Sequence, residues 1–407
     1  MLTTSKTSSK KATVTFTMIY IGYIVCFIDR SAISIALSYI GRDLNLSTTT
    51  LGVVSSAFFF SYALMQIPSG WLTDKFGTYR TIIVAITMWS LFTVLTGFAW
   101  SLTALIVIRV LFGIGEGTYP SASLKQITEV FPYEKRSGAT SAIISSNYVG
   151  AAVAPMLMAP IIATMGWRTS FHLMGIIGII FVLIYAVILR PQKQATDNKI
   201  AWRQVLRNGM MWQFFLVVFG LSVVTKGLDS WMPTYLLQAR HINLAGIAWM
   251  VPLPSLAAGA GALISGFIMA RFFKNHEKFL IATASALATV FMFGMYKSTS
   301  VGAVITFEVF TYLFKSIAFA ATFGFFAELV TKKAYGSSVG IVNFGGQLAG
   351  FLAPIVIGFL VQSFNGSYSV AFLFLVIAAG LAFVTALSFK PAKLAKMKAL
   401  ANQNQEA

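Results

Sequence analysis

Eight ionisable residues fall within stretches otherwise built from apolar side chains: Asp29, Arg30, Arg109, Glu116, Lys226, Asp229, Glu308 and Lys315. A charge at the centre of a membrane-crossing helix costs roughly 2.5–3.5 kcal/mol on insertion scales, so such residues persist where they are paired or bind something. The four bases suit a negatively charged solute. The acids beside them suit protons, because a carboxyl group withdrawn from water favours its neutral form and can load and release a proton as its exposure changes. Arg109 and Glu116 stand seven apart on one helix face, with Gly113 between them leaving room for a solute or a neighbouring helix. Glu308 and Lys315 repeat the spacing with the signs reversed. The alternative for all eight is structural: intramembrane ion pairs that hold parts of the chain together, with Asp29 and Glu116 only fixing the arginines.

The elements that must position these residues are legible from composition. Hydrophobic residues make up 57% of the chain and charged residues 10%, with a mean hydropathy of +0.78; soluble domains carry about 25% charged residues. Apolar stretches recur near 14–38, 51–72, 81–101, 103–125, 139–163, 170–190, 211–237, 247–271, 279–297, 301–329, 338–362 and 369–389. At about 1.5 Å per residue, each can cross a hydrocarbon core of about 30 Å as a helix. Helix is the expected state because backbone groups facing lipid must be satisfied internally, and the period-two alternation of a barrel is absent. The expected fold class is therefore an all-α membrane protein of 12 transmembrane helices. All eight charges lie on spans one, four, seven and ten.

The net charge of +18 reflects sidedness and implies no nucleic-acid partner. With the N-terminus inside, the inner segments hold 22 lysines and arginines, and the outer loops only Arg42, Arg168, Arg240 and Lys297. The positive-inside rule then puts both termini in the cytoplasm. The first span has no cleavage-site pattern behind it and carries Asp29 and Arg30, so it reads as a retained span and not a signal peptide. Cys26 is the single cysteine, which excludes an internal disulfide. His172, His241 and His276 form no metal-binding set, and no cofactor is expected. No Ser/His/Asp pattern or phosphate-cradling loop supports an enzyme. The asparagines of two sequons, Asn45 and Asn365, read as accidental.

The longest polar stretch, RPQKQATDNKIAWRQVLRNG at 190–209, separates the sixth span from the seventh, and Pro191 stops the preceding helix. The expected division is an N-terminal six-helix half at 1–190, a cytoplasmic linker at 191–210, a C-terminal six-helix half at 211–389 and a cytoplasmic tail at 390–407. A shift of about 200 residues aligns Asp29 with Asp229 and Asn147-Tyr-Val-Gly150 with Gln347-Leu-Ala-Gly350. Transporters built from such repeats bind substrate near the bilayer midplane at the repeat interface.

Spans two and three are joined by Gly70-Trp-Leu-Thr-Asp74-Lys75-Phe-Gly77-Thr-Tyr-Arg80. Its glycines permit close helix approach and a tight turn, and an acid beside two bases can form a conformational latch. This segment resembles the signature of the major facilitator superfamily. A degraded copy, Gly266-Phe-Ile-Met-Ala270-Arg271, has lost the acid, so the latch is expected to be stronger in the first half. Span four reads Arg109-Val-Leu-Phe-Gly113-Ile-Gly115-Glu116-Gly117-Thr-Tyr119-Pro120. Together with Asp29-Arg30, Tyr62-Ala-Leu-Met-Gln66-Ile-Pro68, Trp231-Met-Pro233-Thr-Tyr235 and Asn343-Phe-Gly-Gly-Gln347, it is similar to the anion:cation symporter family, which includes bacterial sugar-acid transporters and sialin.

The resemblance implies a major facilitator fold in which spans one, four, seven and ten line a central cavity, and transport of organic anions, commonly with protons. On that reading Arg30, Arg109, Lys226 and Lys315 meet the anion while Asp29 and Glu116 are the proton-coupling groups. Tyr62, Asn147, Asn343 and Gln347 match family positions that contact hydroxyl-rich anions, with helix packing as their alternative. Trp231 and Tyr235, near the outer end of span seven, read as interfacial belt residues, with gate aromatics as the alternative, and Glu328 reads as an interface residue. The expected function is proton symport of a sugar acid, a hexonate or hexuronate, by a monomer in a bacterial inner membrane, with the lipid bilayer as its surroundings. The alternatives are an organophosphate:phosphate antiporter, against which Asp29 argues by repelling a dianion, and a dicarboxylate transporter.

Overall fold

A computed structural model describes residues 2–66, 68–131, 133–189, 209–274, 276–329 and 332–390. Among them every regular element is a helix. In chain order these are α1 (Leu2–Asp43), α2 (Thr48–Met65), α3 (Pro68–Phe76), α4 (Thr78–Gly97), α5 (Leu102–Val130), α6 (Tyr133–Ile188), α7 (Gly209–Gln238), α8 (Leu244–Met250), α9 (Pro252–Phe272), α10 (Glu277–Lys297), α11 (Val301–Leu329), α12 (Lys332–Ser363) and α13 (Ser369–Leu387). Most of the expected linker lies outside the described residues, with Arg190, Pro191, Lys193, Lys199, Arg203 and Arg207, as does the tail with Lys393, Lys396 and Lys398. So do the side chains of Lys6, Lys10, Lys135, Arg136, Glu328, Lys332 and Lys333.

Eleven helical stretches among the described residues are long and apolar enough to cross a membrane. The difference from twelve arises in α6, where spans five and six run together. Gly166 breaks that helix with φ 75° and ψ 164°, in a region that L side chains rarely adopt, so the described residues supply twelve crossings. The break is clamped from outside the helix: Arg168 pairs with Asp43 at 2.9 Å and donates to the Ala99 carbonyl at 2.8 Å. Prolines divide two other spans, at Pro68 between α2 and α3 and at Pro252 between α8 and α9.

Local chemistry explains the helix ends. Ser47, Ser101, Asn243 and Ser300 accept hydrogen bonds from the backbone N–H groups of Thr50, Ala104, Gly246 and Ala303, capping helices that would otherwise begin with unmet donors. Asn45 and Asn365 have φ of 50° and 52°. Both follow helix C-termini, where the left-handed conformation favours Asn, which accounts for the two sequon asparagines.

The chain divides into two compact units: Met1–Asp197 with Leu236–Pro252, and Asn198–Tyr235 with Leu253–Ala407. In the first, α1 packs on α6, α2 on α5, and α4 on both α5 and α6. Tyr119 fastens α5 to α1 by donating to the Ile19 carbonyl at 3.1 Å, and its ring meets Trp89 of α4 edge-on. In the second, α10 packs on α11 and α13. Phe214 of α7 anchors a buried aromatic cluster with Phe325, Phe326 and Phe389.

Candidate functional site

In the first unit the packing brings Arg30 of α1 against Glu116 of α5. The Arg30 Nε donates to Glu116 Oε1 at 2.8 Å, and a terminal guanidinium nitrogen pairs with the same oxygen. Glu116 is fully buried, and its Oε2 has no hydrogen-bond partner among the described residues. The sequence puts Glu116 and Arg109 on one face of a helix, two turns apart, and assigns Glu116 no partner on another helix. Seven residues is about 10 Å of rise, too far for a direct ion pair, and α1 delivers Arg30 to Glu116 instead.

Arg109 is also buried, at 2% exposure, yet no carboxylate pairs with it among the described residues and its Nε has no partner. Aromatic faces surround both arginines. Arg30 lies 4.6 Å from the Phe27 ring centroid, 5.0 Å from Phe58 and 4.9 Å from Tyr62. Arg109 lies 5.1 Å from that same Phe58 and 4.8 Å from Phe112. Each cation–π contact returns about 0.5–2 kcal/mol, whereas stripping a buried charge of its partner costs about 3–5 kcal/mol. The aromatic faces therefore only partly compensate Arg109, and an anion is the group that would complete it.

Asp29 is buried beside this cluster, and its Oδ2 lies 2.6 Å from the Thr93 hydroxyl of α4, while Oδ1 has no partner. Thr93 also lies 2.9 Å from the Trp89 carbonyl. One hydroxyl proton cannot serve both oxygens fully. A neutral Asp29 can donate to Thr93 while Thr93 donates to Trp89; an ionised Asp29 competes with that carbonyl.

The remaining expected residues of this unit divide. Tyr62 is buried under Arg30. Asn147 of α6 is half-buried with an unpartnered Oδ1, one turn before Gly150, which packs on Ile24 and Phe27 of α1. Gly113 leaves room for a neighbouring helix: a Cβ there would collide with Ser61 and the Phe58 carbonyl of α2. Phe58 and Thr93 escaped sequence reasoning, as nothing in a run of apolar residues distinguishes one Phe or Thr.

At the expected latch, Asp74 pairs with Lys125 of α5 and not with Lys75 or Arg80. Lys75 instead lies over the Trp71 and Phe76 rings, at 4.8 and 5.3 Å, and Arg80 is exposed. Nearby, Thr78 donates to Glu129 at 2.8 Å. Gly77 makes the turn into α4 with φ 91°, while Gly70 has no neighbour within 4 Å of its Cβ position and mediates no close approach.

The second unit gathers its own set. Tyr312 of α11 donates to Asp229 Oδ1 of α7 at 2.6 Å, and its hydroxyl lies 3.3 Å from the Thr225 carbonyl. Lys315 is buried with its Nζ 4.9 Å from the Tyr312 ring centroid, and no carboxylate pairs with it among the described residues. Lys226 is half-buried one turn before Asp229, and the charges of both lie within electrostatic reach of Lys315. Asn343 and Gln347 of α12 are half-buried, and Gln347 Oε1 is unpartnered. Trp231 and Tyr235 are buried, which corrects their reading as belt residues. Trp231 donates to the Pro354 carbonyl at 3.1 Å, and Tyr235 packs edge-on against Tyr368 and Phe372.

Residues 19–310 match the family model described as Major Facilitator Superfamily. Among curated proteins, the chain is 31% identical to a "probable sulfoacetate transporter" of Cupriavidus necator, over 86% of this chain and 87% of the relative. It is 26% identical to a hexuronate transporter of Bacillus subtilis over 91% and 92% of the two chains. It is 27% identical to a D-galactonate transporter of Escherichia coli over 86% and 89%. Among solved structures, a bacterial homologue of the human lysosomal transporter Spinster, in an inward-facing and occupied conformation, aligns with a TM-score of 0.82. That match has 20% identity and covers 93% of this chain and 97% of the other.

Proposed function

This chain belongs to the major facilitator superfamily, which makes it a multi-pass membrane transporter and not an enzyme, and from that premise we propose that it moves a small organic anion by proton symport and alternating access. The observation that carries the proposal is the buried arginine pair: Arg30 compensated by Glu116, and Arg109 left without a carboxylate beside the same Phe58. Arg109 is the primary anchor for the substrate's carboxylate, and Tyr62 and Asn147 supply hydrogen bonds to hydroxyls. Lys226, Lys315, Asn343 and Gln347 of the second unit contribute further contacts.

Protons enter through Glu116 and Asp29. A proton on Glu116 loosens its hold on Arg30 and frees a second guanidinium for the anion, so proton and anion favour each other's binding. The chain acts as two six-helix halves, 1–190 and 211–389, joined by a linker at 191–210, in a monomer; the compact units differ from these halves in that Leu236–Pro252 groups with the first. The 22-to-4 distribution of basic residues supports placing both termini in the cytoplasm, and the bacterial relatives support an inner-membrane location.

The proposed substrate is a sugar acid, a hexonate or hexuronate, in keeping with the names of two relatives. A second reading is a two-headed anion, a dicarboxylate or sulfo-carboxylate. The additional bases Lys226 and Lys315 and the name of the 31%-identical relative favour it. Uptake into reconstituted vesicles distinguishes them, using D-glucuronate, D-galactonate, sulfoacetate, a dicarboxylate and a sugar phosphate, with pH gradient and membrane potential imposed separately. Accumulation of an anion driven by an inward proton gradient is expected. Failure of every anion to accumulate, or accumulation indifferent to the gradient, would refute proton symport.

A further inference from the structure

Glu308 is a carboxyl group that the scheme above leaves without a task. It lies in α11, is 3% exposed, and its Oε2 has no hydrogen-bond partner. No lysine or arginine pairs with it among the described residues. Its polar surroundings follow from the helix spacing. Tyr312 is one turn on and commits its hydroxyl proton to Asp229, with the Thr225 carbonyl as second acceptor. Lys315 is two turns on and sits over the Tyr312 ring.

The charged groups that can act on Glu308 within its unit are few. Asp229 of α7 lies within electrostatic reach of Glu308, and Asp229 and Lys226 both lie within reach of Lys315. The interior of α10 between Lys278 and Tyr296 has no titratable residue, α9 carries only Arg271 at its last turn, and α13 carries none. In α12 the residues at the matching depth are the uncharged Asn343 and Gln347.

With both acids ionised and both lysines charged, the set Lys226, Asp229, Glu308 and Lys315 is neutral. An anion arriving at the lysines makes it negative by one charge or more, and a net charge at membrane depth opposes reorientation. Either acid could restore the balance by taking a proton. Asp229 is exposed and its Oδ1 is already served by the Tyr312 hydroxyl, whereas the buried Glu308 has an oxygen that nothing serves, so Glu308 is the acid with a place for a proton.

We propose that Glu308 is a substrate-linked proton site of the second unit, protonated when an anion occupies Lys226 and Lys315, so that each anion brings in one proton beyond those carried by Asp29 and Glu116. The inference rests on the transport reading and on the contribution of the second-unit lysines to anion binding. The only bond made and broken is the O–H bond of the Glu308 carboxyl group: a proton is taken from water on the side of the membrane that delivers the anion and is returned to water on the other side when the anion leaves.

Two measurements test it. In vesicles, the reversal potential for D-glucuronate or sulfoacetate uptake gives the protons carried per anion, and Glu308→Gln should lower that ratio by about one while exchange of labelled for unlabelled anion persists. In detergent, infrared difference spectra on adding the same anion should show a carboxylic-acid band that survives in the Asp29→Asn/Glu116→Gln variant and vanishes when Glu308→Gln is added. An unchanged proton ratio in folded Glu308→Gln protein overturns the proposal. Should that variant fail to fold, absence of the band in the Asp29→Asn/Glu116→Gln protein, with binding confirmed by calorimetry, overturns it equally. Calorimetry showing no binding of either anion to the wild-type protein would mark failure of the transport reading itself, and this inference would fall with it.

Discussion

The two units place charges at corresponding depths of their helices but treat them differently. In the first, two arginines share the Phe58 face, one held by Glu116 and the other without an acid. In the second, the bases are lysines, Lys226 and Lys315; Lys315 lies over the Tyr312 ring, and that tyrosine's hydroxyl is committed to Asp229. A guanidinium gripped by aromatic faces is fixed in orientation and presents a planar fork that matches a carboxylate, whereas an ammonium on a flexible stem is a point charge. On the proposed reading, the first unit recognises a particular group and the second supplies charge. Neutral side chains do not share the asymmetry: Asn147 and Gln347 stand 200 residues apart, each three residues before a glycine and each with an unpartnered amide oxygen.

Removing the recognition elements tests this difference most severely. Arg109→Ala and Arg30→Ala should each weaken anion binding by roughly 100-fold or more, from a loss of about 3 kcal/mol at 1.4 kcal/mol per tenfold. Calorimetry on purified protein checks this, and near-normal affinity in either variant refutes the assignment. Next in size comes coupling. Glu116→Gln mimics the protonated acid, so exchange of labelled for unlabelled substrate should survive while accumulation driven by a pH gradient disappears. Asp29→Asn should be impaired at least as strongly in accumulation. Persistent pH-driven accumulation in both would remove these carboxyl groups from the mechanism. Lys226→Ala and Lys315→Ala should have a smaller effect, roughly 10-fold in affinity, as befits one point-charge contact at about 1–2 kcal/mol. If the lysine variants cost as much as the arginine variants, the proposed division of labour between the units is wrong.

The sequence carried the identity of these residues but not their partners. A charge within an apolar run is conspicuous, so all eight membrane-depth ionisable residues could be named and assigned to four helices. Which acid meets which base depends on how α1 lies against α5, and the spacing of Arg109 and Glu116 contains no trace of it. Phe58 is one of 36 phenylalanines, and only its position between two guanidinium groups sets it apart. Trp231 and Tyr235 resembled belt residues because amphipathic aromatics near a span end usually are; burial against Pro354 and Tyr368 overrides that tendency. The span count was legible from hydropathy, whereas the joining of two spans across Gly166 was not, because it turns on a backbone conformation.

The smallest expected effect concerns the turn between α3 and α4 and its degraded copy after α9. In the first unit, Asp74 meets Lys125 of α5, with side chains 54% and 26% exposed, and an ion pair so open to solvent contributes about 0–1 kcal/mol. Asp74→Asn should therefore lower the melting temperature by at most a few degrees. In the second unit, Ala270 stands where the acid would be, and the residue 200 positions beyond Lys125 is Phe325, which is buried in the aromatic cluster around Phe214. Both partners of the pair are missing there. Restoring only the acid supplies a carboxylate with no base at the corresponding place, so Ala270→Asp alone should not stabilise the protein or reproduce the effect of Asp74. Thermal unfolding of the two single variants and the wild type, at low and high salt, checks this. The Asp74→Asn loss should shrink at high salt, because screening weakens the pair in the parent, and Ala270→Asp should show no salt-dependent gain. A clear stabilisation by Ala270→Asp would mean that another base, with Arg271 the nearest in sequence, takes the place of Lys125 and that the second unit keeps a latch of its own.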